Sequence, residues 1–383
     1  MLYLDANATE PLRPTARAAV LAALELAGNP SSVHAAGRAA RRLLEDARDT
    51  VAACFGARPA DVVFTSGGTE ADALGVHALH AGRRLIVGAT EHEAIRAAAG
   101  DAVVLPVDRD GVVLLGTLEA LLAEGGPALV CLMLANNETG TVQPVAEAAS
   151  LCRRYGAFLH VDAVQAAGRI SVDFAVLGAH SVALSSHKMG GPPGAGALLL
   201  APEVSAIAPL IAGGGQERGR RGGTPALPAI AGFAAAAREA VGTLPPVSRS
   251  PSPVALGESG NASLAALRDA IERAAVGLGA VVCGGRTARL ANTTSMALPG
   301  IRADAQVIAL DLQGVAVSAG AACSSGKVAA SHVLAAMGLG ALAGQAIRVS
   351  LPWNAPPDAA ERFAAAYACM AERLRGALSP HAA

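Results

Sequence analysis

Short apolar runs alternate with Ala-rich helical stretches through the first half of the chain, and this alternation is the strongest constraint on its fold. Strands are expected at 61–65, 84–88, 103–106, 128–134, 158–162, 181–185 and 196–200, with helices such as 14–26, 35–55, 70–80 and 145–155 between them. Strands separated by helices argue for βα units and a largely parallel sheet. In such sheets ligands gather at the carboxyl ends of the strands. Polar clusters fall at those places: Ser66-Gly67-Gly68-Thr69, Glu91-His92, Asn136-Asn137-Glu138, 162–165 and 185–188.

The chain has 383 residues, which suggests about two domains. With 52% hydrophobic and 16% charged residues it can bury a large core and is unlike a disordered chain. A net charge of -1 removes the basic excess usual in a nucleic-acid binder. Mean hydropathy is +0.41, but it comes from dispersed Ala, Val and Leu. No run reaches the ~20 apolar residues of a spanning helix. No secretory signal is visible at Met1-Leu2-Tyr3-Leu4-Asp5, so no membrane association and a cytoplasmic location are expected. The Pro/Ser-rich stretch 245–253 reads as a linker or exposed loop. After it the pattern restarts, with a helix near 263–275 and strands near 280–283, 294–297 and 347–350. The expected organisation is a large domain over 14–254 and a smaller one from 255–383, against which residues 1–13 pack.

Six segments carry chemistry. Lys188 stands at a strand's end between His187 and a Gly/Pro turn, where partial desolvation would lower its pKa. It reads as a Schiff-base lysine or as an ordinary loop lysine. Asp162 ends an apolar strand, as a helix N-cap or as a carboxylate for the pyridinium nitrogen of pyridoxal phosphate (PLP). The following Lys-bearing strand, with Gln165 three residues past the Asp, favours the cofactor. The Thr65-Ser66-Gly67-Gly68-Thr69-Glu70 turn leads into a helix whose first N–H groups suit a phosphate monoester, or it is a plain turn. It has neither a P-loop Lys nor a dinucleotide fingerprint. His92 suits ring stacking or acid–base work, or is a solvated loop histidine. Arg348, in an otherwise apolar strand, holds either a substrate carboxylate or a structural ion pair. Of six cysteines, none form a CxxC pair, and their spacing is too wide for a zinc module. Cys323 lies among Ser and Gly with Lys327 nearby, which suits an accessible thiol, while the other five are expected to be buried.

Taken in order, these segments resemble the cysteine desulfurases, PLP enzymes of the class V aminotransferase group with fold type I. The resemblance runs through Tyr3–Thr9, Gly28–His34, Thr65–Glu70, Glu91-His92, Asn136–Gly140, His160–Gln165, Ser185–Gly194, Gly213–Glu217, Arg221–Thr224, Ser318–Ser325 and Arg348–Leu351. It implies a large domain with a mainly parallel seven-stranded sheet flanked by helices, plus a smaller α+β domain carrying the cysteine loop. It also implies roles. Lys188 would bind the cofactor aldehyde, Asp162 the ring nitrogen and Gln165 the ring hydroxyl, while His92 stacks on the ring. Gly68, Thr69, Ser185 and His187 would hold the phosphate. Thr224 would reach the cofactor of a neighbouring subunit in a homodimer, and Asn137 and Arg348 would lie near the substrate L-cysteine. Cys323 would take the sulfur as a persulfide for an acceptor or iron–sulfur scaffold protein, or act as a transient iron–sulfur ligand.

The alternatives are a selenocysteine lyase, a small-amino-acid transaminase, or a catalytically idle sulfur carrier. Glu10 departs from the pattern, since a small polar residue is expected after the Asp-Ala-Asn-Ala-Thr run. The 245–253 stretch and the short C-terminal tail depart as well.

Overall fold

A computed structural model describes residues 1–244, 260–320 and 330–378. The Pro/Ser-rich stretch and Cys323 lie outside the described residues. Twelve strands form three sheets. In chain order they are β1 (Leu2–Tyr3), β2 (Val62–Thr65), β3 (Arg84–Gly88), β4 (Val103–Leu105), β5 (Ala128–Met133), β6 (Phe158–Asp162), β7 (Ser181–Ser185), β8 (Gly196–Leu200), β9 (Val281–Cys283), β10 (Thr293–Ala297), β11 (Val315–Ala316) and β12 (Ala346–Ser350).

The main sheet has the order β2-β8-β7-β6-β5-β3-β4. Only β8 runs against its neighbours; the other pairings are parallel. β2 and β7 both oppose β8, so six of the seven strands point the same way. The loops after β2, β3, β5, β6 and β7 therefore emerge along one edge. Every residue of β5, β7 and β8 is buried, which is why β5 and β8 read as unbroken apolar runs and β7 is apolar between Ser181 and Ser185.

Helices cover both faces. Ala35–Cys54 buries Gly37, Ala40, Leu44, Ala47, Arg48, Val51 and Ala52, one stripe at helical spacing. Helix Gly68–His80 starts two residues before its expected position, with Gly67 as its extended N-cap. There, Gly196 of the neighbouring strand lies so close to Gly67 that a Cβ would meet backbone carbon at 2.6 Å. Residue 61 belongs to a 3-10 turn rather than to β2.

The second sheet, β12-β10-β9, is antiparallel. Its core gathers Ile271, Met296, Ile347, Phe363, Tyr367 and Met370 with Leu2 and Leu4 from the N-terminus. β1 pairs in parallel with β11, and Asp5 bridges to Ser350. Residues 2–10 thus run from the second core into the loops of the main sheet. Among the described residues no helix is long and apolar enough to cross a membrane.

Cys131, Cys152 and Cys283 are buried as expected, and burial pushes each thiol up in pKa. Cys54 is half-buried and Cys369 is exposed, contrary to expectation. Helix Ala359–Leu378 turns Phe363, Ala366, Tyr367, Met370 and Ala371 inward, and position 369 falls off that stripe.

Candidate active site

The strand ends at the shared edge bring Gly68, His92, Asn137, Asp162 and Lys188 onto the loops that follow β2, β3, β5, β6 and β7. Lys188 closes a 3-10 turn, Ser186–Lys188, directly after β7. Its Nζ donates to the carbonyls of Asn7 (2.6 Å) and Ala8 (2.9 Å). Burial, then Arg348 and Arg169, push its pKa down to about 8, against the opposing pull of Asp5 and Asp162. This is the desolvated lysine that the Gly/Pro turn suggested.

Asp162 ends β6 and is buried. Its Oδ1 accepts from Val164 N at 2.8 Å. Burial and the nearby Asp72 push its pKa up to about 7, while Val164, His92 and His160 pull the other way. A buried carboxylate in that position has an electrostatic deficit that a cationic ring nitrogen would remove. Below it lies a group that sequence reasoning missed. His160 links Ser181 Oγ (2.7 Å) to Asp72 Oδ1 (3.3 Å), and Glu91 Oε1 accepts from Met133 N (2.7 Å). Burial raises the pKa of both Asp72 and Glu91.

His92 is exposed and caps helix Glu93–Ala99 by accepting from Ala94 N at 3.1 Å through Nδ1. Desolvation of its packed side lowers its pKa, despite Asp162. A neutral ring with Nδ1 as acceptor suits stacking on an aromatic plane. His187 is half-buried, with Nδ1 at 2.9 Å from Thr9 Oγ1. Burial and the neighbouring Lys188 bring its pKa down to about 4.

The phosphate-side residues meet at the start of helix Gly68–His80. A Cβ on Gly68 would lie 2.7 Å from Val164 Cγ2 and 3.3 Å from Ser185 Cβ, so the helix end is pressed against the β6 and β7 loops. Ser185 Oγ is buried and has no hydrogen-bond partner. Thr69 is exposed beside it in sequence. An orphaned hydroxyl beside helix-terminal N–H groups is a place for an oxyanion. Thr224 is exposed and lines a hollow of about 80 Å³ with Thr65, Ser66, Gly194 and Arg221 of its own chain. Arg221 is held there by Glu70 at 2.7 and 3.1 Å. Upstream of this loop, Glu217 binds Arg48 through two 2.8 Å bonds and accepts from Phe64 N.

Arg348 is largely committed within the protein. Nη2 pairs with Asp5 Oδ1 at 2.6 Å and Nη1 donates to Asn137 O at 3.1 Å. The structural ion pair is therefore present. Its buried Nε has no partner, which leaves one N–H for a ligand. Asn137 is half-buried and contributes its carbonyl to this contact and to Asn7 Nδ2 (3.0 Å).

Asn7 was not singled out from sequence, yet it ties the site together. Its carbonyl accepts from Lys188 Nζ and from Gln165 Nε2 (3.0 Å). Its side chain contacts Asn137 O, Thr293 Oγ1 and Asn292 Nδ2. Only its place inside the Asp5–Thr9 run could have marked it. Gln165 is buried, and its Oε1 accepts from Arg169 Nη1. Among the described residues no group of three or more His, Cys, Asp or Glu could hold a metal ion.

The family model for class-V aminotransferases matches residues 2–243. The chain belongs to the class-V aminotransferases. This family is PLP-dependent, and the chain falls with its cysteine desulfurases. It is 38% identical over 372 residues to an IscS-like cysteine desulfurase of Mycobacterium tuberculosis, covering 92% of this chain and 91% of that protein. It is 39% identical over 401 residues to a cysteine desulfurase of Cereibacter sphaeroides, covering 100% and 98%. The structure of a NifS-like protein from Rickettsia africae superposes with a TM-score of 0.86 at 32% identity, covering 97% of this chain and 99% of that one.

The residues present in this class-V enzyme fit PLP on three observations made above: the desolvated Lys188, the buried Asp162 and the orphaned Ser185 hydroxyl. A neutral amine is the form that adds to an aldehyde. Uptake of PLP by cofactor-free protein should therefore accelerate as pH rises through about 8, rather than near the ordinary lysine value of 10.5. Visible absorbance after rapid mixing across a pH series measures this. A midpoint near 10 would mean that Lys188 is not desolvated.

Proposed function

We propose that this chain removes sulfur from L-cysteine, releases L-alanine and carries the sulfur as a persulfide on Cys323. The observation that carries the proposal is the half-buried Lys188, its Nζ held by the Asn7 and Ala8 carbonyls in the turn directly after β7, the strand beside the one ending in Asp162. When bound, PLP supplies an electron sink for the pair left on the substrate α-carbon.

The remaining roles belong to the protein. Lys188 holds the cofactor and, as a free amine, takes the α-proton. Asp162 keeps the ring nitrogen protonated, Gln165 contacts the ring hydroxyl, and His92 stacks on the ring and assists proton transfer. Gly68, Thr69, Ser185 and His187 hold the phosphate, and Thr224 reaches the cofactor of the second subunit of a homodimer. Arg348 Nε and Asn137 orient the substrate. Cys323 as thiolate attacks the substrate sulfur; an S–S bond forms as the C–S bond breaks, and protons return to the three-carbon fragment. The balance is L-cysteine plus Cys323 thiol giving L-alanine plus Cys323 persulfide. A sulfur-acceptor or scaffold protein then takes the outer sulfur, in the cytoplasm. The core that joins Leu2 and Leu4 to residues from 271 onward supports a small domain formed by 1–13 with 255–383 beside a large one over 14–254, although Cys283, Leu290 and residues of 333–346 pack into the large domain's core.

The test is alanine and sulfide release from L-cysteine with PLP and a thiol reductant present. Equal amounts over many turnovers are expected. No alanine from folded, PLP-loaded protein would overturn the substrate assignment and redirect the work to selenocysteine and amino-group transfer.

A further inference from the structure

Glu10 stands where a small polar residue is expected, and it is buried. A glutamate there needs a reason, because a buried carboxylate costs stability unless it is paired. Its Oε1 faces Arg169 Nη2 at 3.4 Å and its Oε2 accepts from Trp353 N at 3.2 Å. Its backbone N–H donates to His187 O at 2.9 Å, one residue before the lysine. Arg169 is itself buried and reaches forward into the site. Nη1 donates to the Gln165 carboxamide oxygen, and Nη2 donates to Ala6 O at 3.2 Å. Gln165 in turn shares the Asn7 carbonyl with Lys188 Nζ. Glu10, Arg169 and Lys188 also line one cavity of about 240 Å³, with Arg13, Glu239 and Trp353.

We propose that Glu10 is a positioning residue for the lysine: it is the counter-charge of Arg169, and through Arg169 and Gln165 it fixes the Asn7 carbonyl against Lys188. The charges acting on Lys188 are Arg348 and Arg169 on one side and Asp5 and Asp162 on the other. His187 and His92 stand beside it with lowered pKa values. Burial raises the pKa of Glu10, Arg169 and Arg13 facing it pull it down, and Tyr3 lies within its field. Arg169 disfavours a proton on the lysine nitrogen, and Glu10 offsets Arg169. Glu10→Gln keeps the shape and removes one counter-charge of Arg169, which strengthens the action of Arg169 on Lys188.

The inference rests on Lys188 being the cofactor lysine. The readout is the pH midpoint of the visible band of the PLP-loaded protein, not its activity. In Glu10→Gln the midpoint is expected to fall by about half a pH unit or more, roughly a threefold loss of proton affinity. Glu239→Gln is the control, because Glu239 lies in the same cavity but pairs with Arg13 and Thr15. It should leave the midpoint in place. If the Gln variant does not fold, Glu10→Thr takes its place with the same expectation. An unchanged midpoint, with only a lower melting temperature, would reduce the Glu10–Arg169 pair to a structural ion pair and overturn the proposal. A parent protein that takes up PLP with no pH-dependent visible band would instead count against the Lys188 assignment.

Discussion

Cys323→Ala should lose sulfide release from L-cysteine by on the order of a thousandfold or more, since it removes the thiol proposed to accept the sulfur. The PLP band and its response to added L-cysteine should survive, because the groups that fit the cofactor lie elsewhere: on the β6 and β7 loops, at the start of helix Gly68–His80 and in residues 5–10. The experiment pairs sulfide detection with the visible spectrum before and after substrate. Sulfide at the parental rate would remove Cys323 from the mechanism. The buried cysteines offer no replacement, since desolvation raises their pKa and disfavours the thiolate. Cys369, although exposed, sits on the outer face of helix Ala359–Leu378, whose inner stripe packs into the second core.

Lys188→Ala should have the larger effect of the two, because it removes cofactor attachment and the base together. Turnover should fall below detection. PLP should no longer be covalently held, so it should dialyse away and leave no adduct on borohydride reduction. The Asn7 and Ala8 carbonyls would lose their shared donor, so a modest fall in thermal stability is also expected. Mass spectrometry after reduction, alongside alanine release, reads both parts. A variant that still forms a reducible adduct and turns over would overturn the cofactor assignment.

The interior strands of the main sheet were legible because burial keeps β5 and β8 apolar along their length and β7 apolar between its terminal serines. The loops after them were legible because Gly, Asp and Lys at a strand's end have few structural uses. What escaped the sequence were contacts between distant segments. Strands β1 and β11 are two residues each and carry no periodicity. Asn7 is one small polar residue among others, and its importance comes from partners at residues 137, 165, 188, 292, 293 and 350. Arg348 was recognised as needing a carboxylate, but the first one it finds is Asp5, in the N-terminal run. Glu10 stood out only as a departure, and its meaning required Arg169, which drew no attention from sequence.

The passage of residues 2–10 between the two cores has a consequence for how the enzyme is made. Asp5 meets Arg348, and Asn7 N–H meets Ser350 Oγ, each across 343 positions of chain. Residues 5 and 7 are therefore made 343 positions before these two partners. The seven strands of the main sheet end at Leu200, so that sheet can close long before β12 exists. Until then the segment that carries the Asn7 and Ala8 carbonyls relies on its contacts to the main domain, from Gln165, Arg169 and His187. A chain that stops before β12 can own a sound sheet and still lack the Arg348 and Ser350 contacts that fasten residues 5–7 beside Lys188.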